Sequence, residues 1–295
     1  MKDALLGALA ALAVLYIAGW AWFESKRRLA AEGPRARPGG RELATGFVTD
    51  FLDTLGIGNF APTTAVLKLW RLVPDERIPG TLNAGHALPV ITEALIYIAI
   101  IGVDLATLGT MIAAAVAGAW LGAGVVSRLP RRAIQVGMGI ALLVAVGLML
   151  MTQFGLLAQL AGETLGLSGV KLAGGIAGNL ALGALMTLGI GLYAPCMIMV
   201  SLLGMNPTAA FPIMMGSCAF LMPVGSLRFI RANRYDLRTA LGLTLGGIPG
   251  VLLAAYLVKS LPLGAVRWLV VVVVLYAAVM MLRSARVEAP DVAPI

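Results

Sequence analysis

Residues 54–62 read TLGIGNFAP and residues 187–195 read TLGIGLYAP. Each stretch sets two glycines one residue apart inside an apolar run, with Ala-Pro close behind. Glycine reaches backbone conformations with positive φ, and the residue before a proline is pushed out of the α region. Proline itself suits the first turn of a new helix. The pattern predicts a helix that stops, unwinds and restarts near Pro62, and again near Pro195.

The surroundings of the two breaks fix the solvent. The chain of 295 residues is 60% hydrophobic and 12% charged, with a mean hydropathy of +0.93, far outside the range of a soluble domain. Apolar runs lie near residues 3–23, 78–101, 105–127, 132–152, 209–227, 238–258 and 264–282. Each is roughly 20 residues, the length that crosses a hydrocarbon core of about 30 Å. Small residues recur in them, as in IAAAVAGAWLGAG, which suits helices packing closely in lipid. Strands of a barrel would alternate instead. The net charge of +8 raises the question of nucleic acid, but the basic residues are not gathered on a soluble module and read as topology signals. Cys196 and Cys218 lie in apolar surroundings and suggest neither a disulfide framework nor a metal site.

Sliding the chain on itself by 132 to 134 residues aligns more than the glycine motif. Pro62, Pro74 and Pro79 fall on Pro195, Pro207 and Pro212; LPV at 88 falls on MPV at 222; Asp104 falls on Asp236; Leu129-Pro130 falls on Leu261-Pro262. Two copies of one unit are expected, at 42–152 and 170–283. An N-terminal helix and basic linker (1–41), a linker carrying GETLGLSG (153–169) and a tail (284–295) complete the domain reading.

Each unit opens with a broken segment whose second limb, residues 61–72 in the first unit, reaches only about 18 Å. Charge decides whether that segment crosses or turns back. If it turns back, each unit crosses three times and the units have opposite orientation. All Lys and Arg except Lys2, Lys171, Lys259 and Arg267 then lie on one side, as the positive-inside rule demands. The first run, followed by ESKRR, reads as an uncleaved anchor with its N-terminus outside. The expected architecture is an all-α polytopic membrane protein of two inverted repeats. Each repeat is a re-entrant broken hairpin plus three transmembrane helices, and one extra helix precedes them.

Broken helices placed symmetrically in inverted repeats mark the binding site of a secondary transporter. Half-helices starting at Pro62 and Pro195 would aim free N–H groups and positive dipole ends at the tips, which favours an anion. The candidate binding set is Gly56, Gly58, Asn59, Phe60, Pro62, Thr63, Asn83 and His86 in the first repeat. In the second it is Gly189, Gly191, Tyr193, Pro195, Cys196, Ser217 and Cys218. His86, the single histidine, lies seven residues before Glu93 on one face of a helix. His86 with Glu93 or Asp53 is the candidate proton carrier. Thr63, Ser217 and the cysteines also fit as small residues at helix crossings. Met197, Met199, Met214 and Met215 read as core filler rather than a copper site. Asp104 and Asp236 open helices and read as N-caps.

The stretch DTLGIGNFAPTTAVLKLWRLVPDERIPGTLNAGHALPV and its weaker second copy resemble the TauE/SafE sulfite exporter family. The resemblance implies a bacterial inner-membrane transporter moving sulfite, a small organosulfonate or another small anion outward; the charge distribution puts the N-terminus on the periplasmic side and the C-terminus on the cytoplasmic side. Many members carry further glycines where this chain has Asn59-Phe60 and Leu192-Tyr193. An anion channel, or an importer of another small anion, is the alternative on the same fold. An intramembrane hydrolase would need a nucleophile beside a base, with His86 and Ser217 or Cys218 as the available groups, and no nucleophile motif surrounds them. Neither a nucleotide-binding motif nor a cofactor or metal signature is present. The expected partners are a small anion and the bilayer, with no nucleic acid; no feature fixes a homo-oligomeric state.

Overall fold

A computed structural model describes residues 2–30, 37–156, 162–189, 191–257 and 263–287. Ile190 of the second glycine motif, Lys259, Leu261-Pro262 and the tail beyond 287 lie outside the described residues. The described residues form eleven α-helices and one 3₁₀ turn, Asp75–Arg77. They are α1 (Lys2–Ala30), α2 (Gly40–Thr54), α3 (Phe60–Leu69), α4 (Ile78–Ile100), α5 (Leu105–Val126) and α6 (Arg131–Gln153), then α7 (Gly169–Met186), α8 (Tyr193–Leu202), α9 (Pro207–Arg231), α10 (Leu237–Leu257) and α11 (Leu263–Val287). Among the described residues, six helical stretches are long and apolar enough to cross a membrane, lying in α1, α4, α5, α7, α9 and α10.

Both glycine motifs break the helix where expected. Gly56 and Gly58 have φ of 78° and 90°, and Gly189 has φ of 95°, values that favour glycine. Two details differ from the sequence reading. The restarted helices begin at Phe60 and Tyr193, two residues ahead of the prolines, because a first-turn N–H has no intrahelical acceptor and its loss at the third position costs nothing. The first limbs also exceed half-helices. α2 has 15 residues and α7 has 18, or about 22 and 27 Å, whereas α3 and α8 have ten each.

Both broken segments double back. The guanidinium of Arg41, at the start of α2, sits 5.8 Å from the ring centre of Trp70, just past α3. In the second copy, a Cβ on Gly204, after α8, would lie 3.3 Å from Nζ of Lys171 near the start of α7.

Packing follows one scheme twice. α2 runs alongside α10 in the same direction, with Arg238 bonded to Glu42 at 3.0 Å at one end. α7 runs alongside α5 likewise, from Thr107–Leu167 at one end to Gly122–Thr187 at the other. These seams depend on missing side chains. A Cβ on Gly246 would lie 2.0 Å from the Leu43 carbonyl oxygen, and one on Gly118 would lie 1.9 Å from that of Leu180. Backbones approach closely only where small residues permit it.

The interior helices α4 and α9 are antiparallel: Thr81 near the start of α4 accepts from the Asp236 N–H just past α9 at 2.9 Å. α6 and α11 are antiparallel too, Phe154 meeting Trp268 while Gly139 faces Leu282. α1 lies on the outside of α4 and α9, held by Tyr16 on the Ala84 carbonyl (3.0 Å) and Trp20 on Tyr235 (3.0 Å).

Pro89 inside α4 removes the N–H that would bond the Gly85 carbonyl. Thr244 of α10 donates to that carbonyl at 2.7 Å, the repair that buried apolar surroundings require. Asp104 and Asp236 do cap helices, accepting from the Thr107 and Thr239 N–H groups at 2.7 and 2.8 Å.

Candidate functional site

The tips of the two broken segments meet around a cavity of about 30 Å³, room for a water or two. The first tip supplies Ile57, Gly58, Asn59, Phe60 and Ala61; the second supplies Gly191, Leu192, Tyr193 and Pro195. Asp53 of α2, Val90 of α4, Leu148 of α6, Met186 of α7 and Cys218 of α9 complete the wall. Both short helices begin here. Thr63 and Cys196 are the first residues of the restarted helices to bond back, to Asn59 and Leu192 at 2.9 Å each. The N–H groups of Phe60, Ala61 and Tyr193 precede them in the first turns, where helices carry unpaired donors and positive partial charge.

Behind the first tip lies a buried polar relay. His86 Nδ1 is 2.8 and 2.9 Å from the two carboxylate oxygens of Asp50, and its Nε2 is 3.0 Å from the Thr63 hydroxyl. Asn59 donates an amide N–H to Asp50 at 2.8 Å. Asp50, Thr63 and His86 are fully buried. The ring of Phe60 lies 6.1 Å from that of His86. A Cβ on Gly247 of α10 would stand 2.0 Å from Asp50 Oδ2, so that glycine gives the carboxylate its space.

A second acidic group reaches the cavity. The Tyr193 hydroxyl, from the second tip, donates to Glu93 of α4. Asp53, at the cavity wall, faces Glu93 and Tyr193. Among the described residues, Oδ2 of Asp53 and Oε1 of Glu93 have no hydrogen-bond partner.

The structure thus gathers Gly58, Asn59, Phe60, Gly191, Tyr193, Pro195, Cys218 and Asp53 at one place, with Thr63, His86 and Glu93 directly behind. Gly56, Pro62 and Gly189 shape the tips without lining the cavity. Asn83 is elsewhere, donating to the Pro79 carbonyl at 2.9 Å. Ser217 accepts from Asn179 at 2.8 Å, so His86 and Ser217 do not form a nucleophile–base pair. Cys196 is buried beside the tip rather than in the wall. The histidine's ionisable partner is Asp50, not Glu93 or Asp53: helix spacing relates residues on α4 alone, whereas the contact is made across to α2. Val90, Leu148 and Met186 carry no chemical signal that a single sequence exposes.

The chemistry is lopsided between the copies. At the offsets that align the motifs, Asp50, Asp53, His86 and Glu93 fall on Gly183, Met186, Phe220 and Leu227. The second copy contributes a hydroxyl and a thiol instead.

Helices long and apolar enough to span a membrane, with two broken helices meeting at a buried cavity, are features shared by polytopic membrane proteins of the transporter kind. Residues 1–150 and 170–294 match the family Sulfite exporter TauE/SafE, and the chain belongs to that family of membrane transporters. No match was found among curated proteins or among solved structures.

Proposed function

We propose that this protein exports sulfite or a small organosulfonate anion across the bacterial inner membrane, through the cavity between the two tips. The observation that carries the reading is the convergence of two helix starts on one buried cavity, an arrangement that favours an anion without a fixed cation. Release is then as feasible as binding.

The two units act as inverted repeats inserted from opposite faces, with their tips near the midplane. The antiparallel pairing of equivalent helices, α4 with α9 and α6 with α11, supports that reading, as does the doubling back of each broken segment. The N-terminus is periplasmic and the C-terminus cytoplasmic. A cavity of about 30 Å³ is too tight for an oxyanion, so the tips part on loading. His86, Glu93 and Asp53 form the candidate set for proton coupling.

Flux in proteoliposomes tests the proposal, with sulfite, a two-carbon sulfonate, sulfate and chloride offered in turn. Saturable sulfite or sulfonate movement, weakened by Asn59→Ala, is expected. Uptake of a metal cation or neutral solute alone would overturn the anion reading. Accumulation against a gradient separates a carrier from the alternative channel, and vesicles loaded on either face separate export from import.

A further inference from the structure

An anion site walled by an aspartate sets an electrostatic problem. Asp53 is 1% exposed, lines the cavity and has an unpartnered Oδ2. Glu93 is 0% exposed, with Oε1 unpartnered and the other oxygen bonded to Tyr193. Asp53 sits in the last turn of α2, where the helix end adds negative partial charge. No lysine or arginine is among the lining residues.

The other titratable groups around the pair do not relieve it. Asp50 on α2 is committed to His86 of α4 and to Asn59. Tyr97 of α4 donates to the Thr54 carbonyl at 2.8 Å. Tyr193 of α8 is the donor already counted, and Cys196 of α8 and Cys218 of α9 are buried thiols. Ionising both carboxyls side by side without a cation would cost more than such a site can recover. An anion in the same cavity raises that cost again.

We propose that Asp53 and Glu93 form one proton-holding carboxyl pair whose protonation is linked to anion binding with positive sign: each anion carried takes a proton with it. The inference rests on the anion reading of the cavity. Linkage is reciprocal, so the proton tightens anion binding by the factor by which the anion tightens proton binding. Tyr193 ties the pair to the second tip, so parting the tips opens the proton site together with the anion site. The candidate proton set therefore divides: Asp53 and Glu93 hold the proton, while His86 and Asp50 position Asn59. Efflux runs on the anion's own outward gradient and moves protons with it.

The test is calorimetric binding of a two-carbon sulfonate to the purified protein in detergent, across pH and in buffers of different ionisation enthalpy. A sulfonate is a strong acid, so any pH slope belongs to the protein. Wild type is expected to take up a proton per anion and to lose affinity by up to about tenfold per pH unit in alkali. Asp53→Asn/Glu93→Gln is expected to bind with an affinity that no longer varies with pH and without proton uptake. His86→Gln is expected to bind more weakly at every pH with the slope kept. Wild-type binding without proton uptake overturns the linkage, as does a slope that survives in the double variant. Wild type that binds no sulfonate or sulfite at any pH overturns the anion reading itself. The wild-type buffer series decides the matter even where a variant fails to fold.

Discussion

Asp50 of α2 and His86 of α4 meet at 2.8 Å with neither side chain exposed to any degree. The pair joins the first broken segment to an interior helix, and it reaches the tip because Asn59 donates to the same carboxylate. The relay thus fixes where α3 restarts, and with it the direction in which the first tip presents its N–H groups.

Removing one member leaves the other buried without compensation, which typically costs about 3–5 kcal/mol. His86→Ala and Asp50→Ala should each lower the thermal unfolding midpoint in detergent by several degrees. The apolar double replacement Asp50→Leu/His86→Leu should cost less than the two single effects summed, since contacting residues are not additive. A His86→Ala midpoint equal to wild type would show that the contact holds nothing in place.

Sequence alone made the architecture legible because its signals are local or periodic. Glycine, proline and apolar length act within a few residues, so the two breaks and the long helices followed from composition and spacing. The pairing of the two tips, which line one cavity, followed from the repetition of TLGIG. The partner of His86 did not follow, because 36 positions separate it from Asp50 and only packing brings α2 against α4. Asp50 did carry one signal of its own, a carboxylate within an otherwise apolar segment. The extra length of α7 was hidden for a different reason: Asn179, polar in sequence, is satisfied by the Met111 carbonyl and Ser217.

Thr244 is expected to matter through one hydrogen bond. Its hydroxyl is the group that meets the Gly85 carbonyl freed by Pro89. Thr244→Val keeps the shape and orphans a buried acceptor, a loss of about 1–3 kcal/mol. Pro89→Ala restores the helix's own donor, so Thr244→Val in a Pro89→Ala background should cost less. Thermal unfolding of the four combinations measures the coupling, and strictly additive midpoints would contradict it.

The seam between α2 and α10 should be intolerant of a single methyl group. A Cβ at Gly246 would sit 2.0 Å from backbone oxygen of Leu43, and backbone cannot swing aside as a side chain does. Gly246→Ala is expected to cost about 1–3 kcal/mol through overpacking, whereas Gly7→Ala, with nothing within 4 Å, should match or exceed wild type. Equal midpoints for the two variants would refute close backbone packing at this seam.

Asp104 gives a pH dependence whose sign can be worked out. It lies at the start of α5, outside the spanning stretch, and the Thr107 N–H and hydroxyl hold its carboxyl below the usual range. A group depressed in the folded state adds stability above its unfolded value and loses it as pH falls through the folded one. Asp104→Ala should therefore cost about 0.5–2 kcal/mol at neutral pH. The gap from wild type should close in acid, which unfolding curves at paired pH values would reveal.

The arrangement of the chain in the membrane has a direct chemical test. In a background with Cys196 and Cys218 replaced, single cysteines at Ser25, Trp70, Gly102 and Ala232 can be challenged with a membrane-impermeant maleimide. All four positions are exposed. On the proposed topology, which puts most Lys and Arg and the doubled-back α2–α3 segment on the cytoplasmic face, Ser25→Cys, Trp70→Cys and Ala232→Cys should react only once that face is opened. Gly102→Cys, in the loop between α4 and α5, should react in intact cells. Trp70 is the discriminating position, since it lies just past α3 and beside Arg41. If the broken segment crossed instead of returning, Trp70→Cys would label from the outside while Ser25→Cys did not. A full reversal of the pattern would keep the hairpins and invert the protein, placing its N-terminus in the cytoplasm.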